Sequence, residues 1–550
     1  MRMRMWAVLV VAVVTLVLLV TCAKKAVDTE IPAVQGGVAG VVAVAAPEAT
    51  NNTPASPLLS PGDALDANTG TFNTEAYDHI DESRFHRVEA DPLSTFSIDV
   101  DTASYANVRR FLTDGGLPPA GAVRIEELIN YFRFDYPQPS DGAPFSITTE
   151  FAACPWNATH RLALIGLQGR APQDRNPPAR NLVFLLDVSG SMMPSEKLPL
   201  VRTAMRMLTD VLTERDRVAI VVYAGASGLV LPSIPGNQKE RIQQALARLE
   251  AGGSTNGAQG ITLAYDVARR NFIRGGVNRV LLATDGDFNV GVTSQSDLVA
   301  LIEKERESGI FLSVLGVGRD NLKDSTMEKL ADHGNGNYSY LDSINEARKV
   351  LVREASSTFE TIAKDVKIQV EFNPREVAAY RLIGYENRLL QREDFNDDTK
   401  DAGEIGAGHS VTALYEIVPV GVNVDGPIVD ALKYQREPRD TRAAASGELM
   451  TVKVRFKAPD GETSRLLTHV QMDRPSAMTA NLGFASAVAE FGMLLRESPA
   501  RGDASFESAV SRARMFRGRD DEGYRNEFVQ LVERASSLRQ EEPRRSSRRE

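Results

Sequence analysis

Four nearly continuous apolar segments stand in the middle of the chain, at Val183–Leu186, Val218–Tyr223, Val280–Ala283 and Ile310–Leu315. Strands that are buried on both faces have this pattern, as in a parallel sheet covered by helices. The segments between them carry helical stripes, of which the clearest joins Val201, Ala204, Met205, Leu208, Val211 and Leu212 at 3.6-residue spacing. The alternation predicts a doubly wound α/β domain with a mostly parallel sheet over residues 181–358.

Downstream of this domain the hydrophobic period changes to two. Val366, Ile368, Val370 and Phe372 alternate with polar residues, as do Met450, Val452, Val454 and Phe456. This pattern predicts a β-rich, sandwich-like domain over residues 359–475. Phe145–Phe151 and Leu162–Leu167 also have strand character, and they belong to an N-terminal segment, 76–180, that begins with short helices. We expect these two strands to join the sandwich, which would make the α/β domain an insertion.

The C-terminal part of the chain is predicted to be helical. Helical patterns occupy residues 477–498, 503–515 and 523–538, which together indicate a helical segment over 476–540. The basic run from Arg544 to Arg549 is typical of a solvated end, and residues 541–550 are predicted to be a disordered tail.

The N-terminus has the features of an export signal. Arg2 and Arg4 precede an apolar run from Trp6 to Val20, which is too short for an ordinary transmembrane helix and suits a signal peptide over residues 1–21. Leu19-Val20-Thr21-Cys22 resembles the bacterial lipobox, in which the cysteine, here Cys22, is lipidated. Residues 22–75, rich in Ala, Val, Pro, Thr, Asn and Gly, are predicted to be a flexible tether. The alternative is an uncleaved signal anchor.

Both interpretations of the N-terminus place the rest of the chain outside the cytoplasm and tethered to a membrane. We therefore expect a location at the cell envelope. Ala23, rather than Asp, follows the cysteine, which by resemblance to other lipoproteins implies the outer membrane if the cell is Gram-negative.

Composition and charge exclude several classes of function. The chain has 550 residues, of which 43% are hydrophobic and 25% charged, with a net charge of −10. These values are ordinary for a globular protein, and the acidic balance argues against a nucleic-acid partner. The six scattered histidines form no zinc spacing, and the chain has no Walker A loop and no G-x-S-x-G motif. We therefore predict neither an enzyme nor a small-molecule substrate.

Two acidic residues near the N-terminal strand Phe96–Val100 allow two interpretations. Asp99 and Asp101 are two positions apart, a spacing that suits metal ligands. A strand end followed by a helix N-cap at Asp101 or Thr102 explains them equally well.

Hard oxygen ligands lie where two of the predicted parallel strands end. Val183–Leu186 is followed by Asp187-Val188-Ser189-Gly190-Ser191, and Val280–Ala283 by Thr284-Asp285-Gly286. In doubly wound sheets, ligands bind beyond the carboxyl ends of the strands. Hydroxyl and carboxylate oxygens suit Mg²⁺, Mn²⁺ or Ca²⁺. A further segment, Gly252-Gly253-Ser254-Thr255, precedes a predicted helix.

The order D-x-S-x-S, a Thr loop and T-D-G resembles the metal-ion-dependent adhesion site of von Willebrand A domains, whose fold is Rossmann-like. The resemblance implies direct ligation by the hydroxyls of Ser189 and Ser191. It implies that Thr255 ligates directly or through water, and that Asp187 and Asp285 act largely through bound water. Ser254 is the alternative to Thr255 if the loop is shifted by one residue. The implied cofactor is a divalent cation, Mg²⁺ first, with one coordination position open to a partner's Asp or Glu carboxylate.

More of the chain resembles a bacterial family of von Willebrand A lipoproteins. Phe96–Tyr105 looks like the family's N-terminal segment, and Tyr385–Arg388 with Glu393–Asp398 looks like its C-terminal domain of unknown function. The resemblance covers roughly residues 80–540 and implies a metal-dependent protein-binding module at the cell envelope. A metal-assisted hydrolase and a metal-independent envelope scaffold are the alternatives.

Overall fold

The structure, a computed structural model, describes residues 75–98, 100–140, 142–172, 177–224, 227–253, 257–286, 295–319, 321–355, 359–424, 441–474 and 476–546. The predicted signal peptide, Cys22 and nearly all of the tether lie outside these ranges, as do Asp99, Ser254 and Thr255. None of the helices in the described ranges is long and apolar enough to cross a membrane.

The N-terminal segment places two helices between short strands. Thr102 is the N-cap residue of the first helix, but its side chain makes no capping hydrogen bond. The Oδ1 of the buried Asp101 accepts a hydrogen bond from the backbone N–H of Tyr338 at 2.8 Å. Asp101 therefore ties this segment to a distant part of the chain. The elements are β1 (His86–Arg87), β2 (Leu93–Ser97), α1 (Ala103–Thr113), α2 (Ile125–Asn130), β3 (Phe145–Ala153) and β4 (Arg161–Gly169).

The central part of the chain is the predicted α/β domain. Within the described residues its sheet has six strands in the order β10-β9-β8-β5-β6-β7. All neighbouring pairs are parallel except β6 and β7. The fold class predicted from the apolar segments is thereby confirmed. The elements are β5 (Arg180–Asp187), α3 (Leu198–Val211), β6 (Arg217–Tyr223), β7 (Ser227–Pro235), α4 (Lys239–Ala247), α5 (Gly257–Arg270), β8 (Val277–Thr284), α6 (Gln295–Glu307), β9 (Phe311–Gly316), α7 (Asp324–His333), β10 (Tyr338–Tyr340) and α8 (Ile344–Arg348).

Helices cover both faces of this sheet. On one face α3, α4 and α8 bury residues such as Leu208 and Leu246 against β5 and β6. On the other face α5, α6 and α7 form a second core. Helix α1 also belongs to this second core, through Ala103 and Ala106. A helix that precedes the domain by many residues therefore completes its packing.

Two antiparallel sheets form the β-rich part. One has the order β1-β12-β14-β4-β3. In the other, β11 pairs with β13, β15 and β2, and β16 pairs with β15. Apolar side chains of both sheets meet in one core. Because β4 pairs with β14 and β3 pairs with β4, strands from before and after the α/β domain share one sheet, and the α/β domain interrupts this part of the fold in sequence. The strands are β11 (Thr361–Phe372), β12 (Val377–Ile383), β13 (Gly403–Gly406), β14 (Ser410–Pro419), β15 (Glu448–Lys457) and β16 (Arg465–Met472).

Three C-terminal helices pack on the remaining face of β4 and β14. They are α9 (Ala480–Leu495), α10 (Phe506–Met515) and α11 (Tyr524–Ser546). Their core includes Leu164 and Leu414 from the sheet, together with α1 and α2. Helix α11 continues to Ser546, into the segment that was predicted to be a disordered tail. Its buried residues Val532 and Ala535 anchor the preceding turns, and an anchored helix extends cooperatively over polar residues.

Candidate metal centre

The two acidic residues of the predicted site lie at the ends of neighbouring parallel strands. Asp187 ends β5, and Asp285 directly follows the last residue of β8. The register pairs Leu186 with Ala283, which brings the two carboxyl ends side by side. Both carboxylates are fully buried. The structure thus places these two residues together at the sheet edge where ligands of doubly wound domains bind.

The two serines of the motif lie next to each other at the site. Their Oγ atoms lie 3.0 Å apart. Ser189 is buried and Ser191 is half-buried. The backbone N–H of Ser189 donates to Asp187 Oδ1 at 2.9 Å, which turns the loop back over the strand end. Two oxygens that bind an octahedral Mg²⁺ at about 2.1 Å at right angles stand about 3 Å apart. The hydroxyl pair therefore fits neighbouring positions around such an ion.

Asp187 is held by neutral donors. Its Oδ2 accepts hydrogen bonds from Thr284 Oγ1 at 3.1 Å and from the Tyr223 hydroxyl at 3.2 Å. Burial raises the pKa of Asp187, and the charge of Asp285 raises it further, against the lowering effect of the hydrogen bonds from Ser189 and Thr284. A buried carboxylate in this situation is stabilised by a nearby cation.

Asp285 has a cationic partner in the protein itself. Lys197 Nζ donates to Asp285 Oδ2 at 2.9 Å and to Asn321 Oδ1 at 2.8 Å, and Asn321 Nδ2 donates to the same Asp285 oxygen at 2.9 Å. Burial raises the pKa of Asp285, but the Asn321 hydrogen bond and the Lys197 charge outweigh it and hold this pKa below its ordinary value. Asp285 is therefore ionised at neutral pH.

Sequence reasoning missed Lys197, Asn321 and Tyr223, and it quoted Thr284 without giving it a role. Lys197 carries a weak signal, because it immediately precedes the striped helix α3 and follows closely after the motif. Tyr223 ends the apolar segment Val218–Tyr223 and Asn321 stands in a loop, and neither position indicates by itself a contact with the site.

The loop that carries the predicted threonine lies against the motif. The backbone N–H of Gly190 donates to the carbonyl of Gly253 at 3.1 Å, and the N–H of Gly252 donates to the carbonyl of Val188 at 2.8 Å. Thr255 and Ser254 themselves are outside the described residues, so the choice between them stays a prediction. The two backbone hydrogen bonds nevertheless hold Gly252 and Gly253, which directly precede Ser254, against the motif.

A second group of carboxylates lies in the β-rich part, and sequence reasoning did not identify it. Asp365, Asp401 and Glu404 bring one carboxylate oxygen each within 4.8 Å of the others. Lys457 Nζ lies 2.7 Å from Asp365 Oδ2, and Arg306 pairs with Asp401. Because two of the three carboxylates already have cationic partners, we do not assign a metal to this group.

Three family models match the chain. The model described as von Willebrand factor type A domain matches residues 181–352, which contain the whole described site. The model of the C-terminal part of the uncharacterized protein YfbK matches residues 357–538, and a von Willebrand factor model matches residues 71–164.

Among curated proteins, the uncharacterized protein YfbK of Escherichia coli K12 is 43% identical over 479 residues, which are 86% of this chain and 82% of that protein. Human inter-alpha-trypsin inhibitor heavy chain H4 is 28% identical over 173 residues, 30% of this chain and 18% of its own length. A solved von Willebrand factor type A protein from Catenulispora acidiphila is 15% identical, with a TM-score of 0.39 over 69% of this chain and 88% of that one.

Proposed function

The chain belongs to the YfbK family of proteins with a von Willebrand factor type A domain, and on this premise we propose that it holds a partner protein through a divalent cation. Such domains generally mediate protein–protein interaction and often depend on a metal. The observation that carries the proposal is the Ser189–Ser191 hydroxyl pair, 3.0 Å apart, in front of the buried carboxylates of Asp187 and Asp285.

The donor set explains what each residue does in this function. Ser189 and Ser191 would hold the ion through their neutral hydroxyls, and Asp187 and Asp285 would act on it largely through bound water. Thr255 supplies a further oxygen from the Gly252–Gly253 loop. Mg²⁺ suits this set of hard oxygens best, with Mn²⁺ and Ca²⁺ as substitutes. When bound, the ion would supply an electrophilic position for an Asp or Glu carboxylate of the partner.

The tests are metal binding and partner capture. Mn²⁺ should bind the purified protein in calorimetry, and capture from envelope extract should be lost with a chelator. Ser191→Ala should lose both. Ser195→Ala is the matched control, because Ser195 lies on the same loop but is exposed and bonded to Glu196. Capture that survives both chelation and Asp187→Ala would overturn the proposal and favour a metal-independent scaffold.

The proposed site of action is the outer side of a bacterial membrane, with the chain anchored by lipid at Cys22. Support comes from the sequence alone: the basic residues Arg2 and Arg4, the apolar run Trp6–Val20 and the position of Cys22. Metabolic labelling with an alkyne fatty acid should mark the wild-type protein and not Cys22→Ala. Equal labelling of both would contradict lipidation at this residue. A membrane-bound, unlabelled wild-type protein would instead support an uncleaved signal anchor.

A further inference from the structure

The metal centre contains a buried lysine that the proposed function does not use. The Lys197 side chain is 7% exposed and crosses the backbone at Gly318 to reach Asp285. A Cβ on Gly318 would stand 2.2 Å from Lys197 Cε, and Gly318 has a φ of +91°. Glycine suits this position because it has no Cβ, and the aliphatic part of the Lys197 side chain occupies the space where a Cβ would stand.

The contacts of Lys197 fix its charge at one carboxylate. Its Nζ donates to Asp285 Oδ2 at 2.9 Å and to Asn321 Oδ1 at 2.8 Å. Asn321 in turn donates to the same Asp285 oxygen. The oxygen and the nitrogen of the Asn321 amide both take part in these hydrogen bonds and orient the ion pair. The hydrogen bonds to Asp187 described above come instead from neutral donors.

Among the described residues of the site, three buried side chains carry a charge, and the sum of their charges does not match a divalent ion alone. Asp187 and Asp285 contribute two negative charges and Lys197 one positive charge, which leaves a net charge of −1. A divalent cation brings the site to +1, and one carboxylate from outside brings it to zero. Without Lys197 the divalent cation alone would neutralise the site, and the carboxylate would leave it at −1. Net charge in a buried, low-dielectric site is costly.

We propose that Lys197 makes the site selective for an anionic partner by leaving it with one positive charge in excess of neutrality when only the metal is bound. The inference rests on the proposed function, since it assumes the divalent ion at Ser189 and Ser191. Lys197 acts through Asp285 and is a positioning residue. Its consequence is a coupling: metal and carboxylate each raise the affinity of the protein for the other by the same factor.

The test measures Mn²⁺ affinity in the presence of acetate or of acetamide, its neutral analogue of similar shape. In the wild-type protein, acetate should raise the Mn²⁺ affinity above that measured in acetamide. Lys197→Gln keeps a hydrogen-bond donor but removes the charge. It should bind Mn²⁺ alone about tenfold more tightly, since a repulsive charge has been removed, and the advantage of acetate over acetamide should shrink.

A second variant gives the site the same net charge as Lys197→Gln but keeps the lysine. Asn321→Asp adds a carboxylate beside Lys197 and should likewise tighten Mn²⁺ binding and reduce the effect of acetate. Lys329→Gln is the control, because Lys329 is 56% exposed and pairs with Asp78 on the surface. A melting curve establishes that each variant is folded.

The possible failures are distinguishable. If Lys197→Gln and Asn321→Asp are folded but keep the wild-type Mn²⁺ affinity and acetate effect, the role of Lys197 is overturned and the metal site stands. If the wild-type protein binds Mn²⁺ no better than Asp187→Ala, the proposed function fails, and the role of Lys197 fails with it.

Discussion

Arg109 donates to both carboxylate oxygens of Asp342, from Nε at 2.7 Å and from a terminal nitrogen at 2.6 Å. The pair joins α1 to Asp342, which lies two residues before α8 of the α/β domain. The same guanidinium also reaches Glu346 of α8 at 2.7 Å and Glu527 of α11 at 3.2 Å. One arginine therefore connects three parts of the chain that are far apart in sequence.

Replacing Arg109 should destabilise the whole described fold. Arg109→Ala leaves the mostly buried carboxylates of Asp342 and Glu346 without this partner, and breaking a buried pair of this kind costs about 3 kcal/mol. Urea unfolding of the purified protein measures the loss. Arg319→Ala is the control, because Arg319 forms an exposed pair with Asp114 and such pairs contribute about 1 kcal/mol or less. Equal losses for the two variants would contradict the connecting role of Arg109.

Glu416 should make the protein sensitive to acid. Burial raises the pKa of this carboxyl, but hydrogen bonds from His160, Arg381 and Trp156 and the charge of Arg381 outweigh it and hold the pKa below its ordinary value. A group whose pKa is lower in the folded state contributes stability at pH values above its unfolded pKa. That contribution is lost as the pH falls through the folded pKa.

The measurement is the unfolding free energy as a function of pH below neutrality. The wild-type protein should lose stability as the carboxyl of Glu416 is protonated, and the curve of Glu416→Gln should be flatter. Glu462→Gln is the control, since the Glu462 side chain is 91% exposed. Parallel curves for the wild type and Glu416→Gln would show that the acid sensitivity arises elsewhere.

Cys154 should be chemically inert in the folded protein. It is a free, buried cysteine, and burial raises the pKa of its thiol well above the ordinary value, with a further contribution from the charge of Glu416. Thiolate is the reactive form, so both effects suppress alkylation. In a Cys22→Ala background, a thiol reagent should leave the native protein unlabelled and label it fully in urea. Rapid labelling in native buffer would contradict the packing around Cys154.

Met193 should contribute to partner binding without contributing to metal binding. It is 65% exposed and lies two residues beyond Ser191, and an exposed apolar side chain beside a charged contact is typical of an interface. Met193→Ala should weaken partner capture several-fold, as expected for about 1 kcal/mol of lost apolar contact, and leave Mn²⁺ affinity unchanged. Met515→Ala, at a methionine that is 75% exposed on α10, is the control. Unaltered capture by Met193→Ala would exclude this surface from the interface.

The candidate metal site was predictable in part because its clearest signals are local. Asp187, Ser189 and Ser191 stand in one short loop after an apolar strand, and Asp285 follows another. The structure brings these four residues together. Thr255 stays a prediction, since it lies outside the described residues. Lys197 and Asn321 were not identified because a lysine before a helix and an asparagine in a loop are common features without a fixed chemical role.

The sequence by itself determined many of the strands and helices, because burial on one or both faces leaves a period of two, a period of 3.6 or a continuous apolar run. It also determined the chemistry of the motif. Only the tertiary structure decided which elements are neighbours: α1 in the core of the α/β domain, β3 and β4 in a sheet with β14, and Lys197 against Asp285. These contacts join residues that are distant in the chain, and periodicity records whether a residue is buried but not which residue it meets.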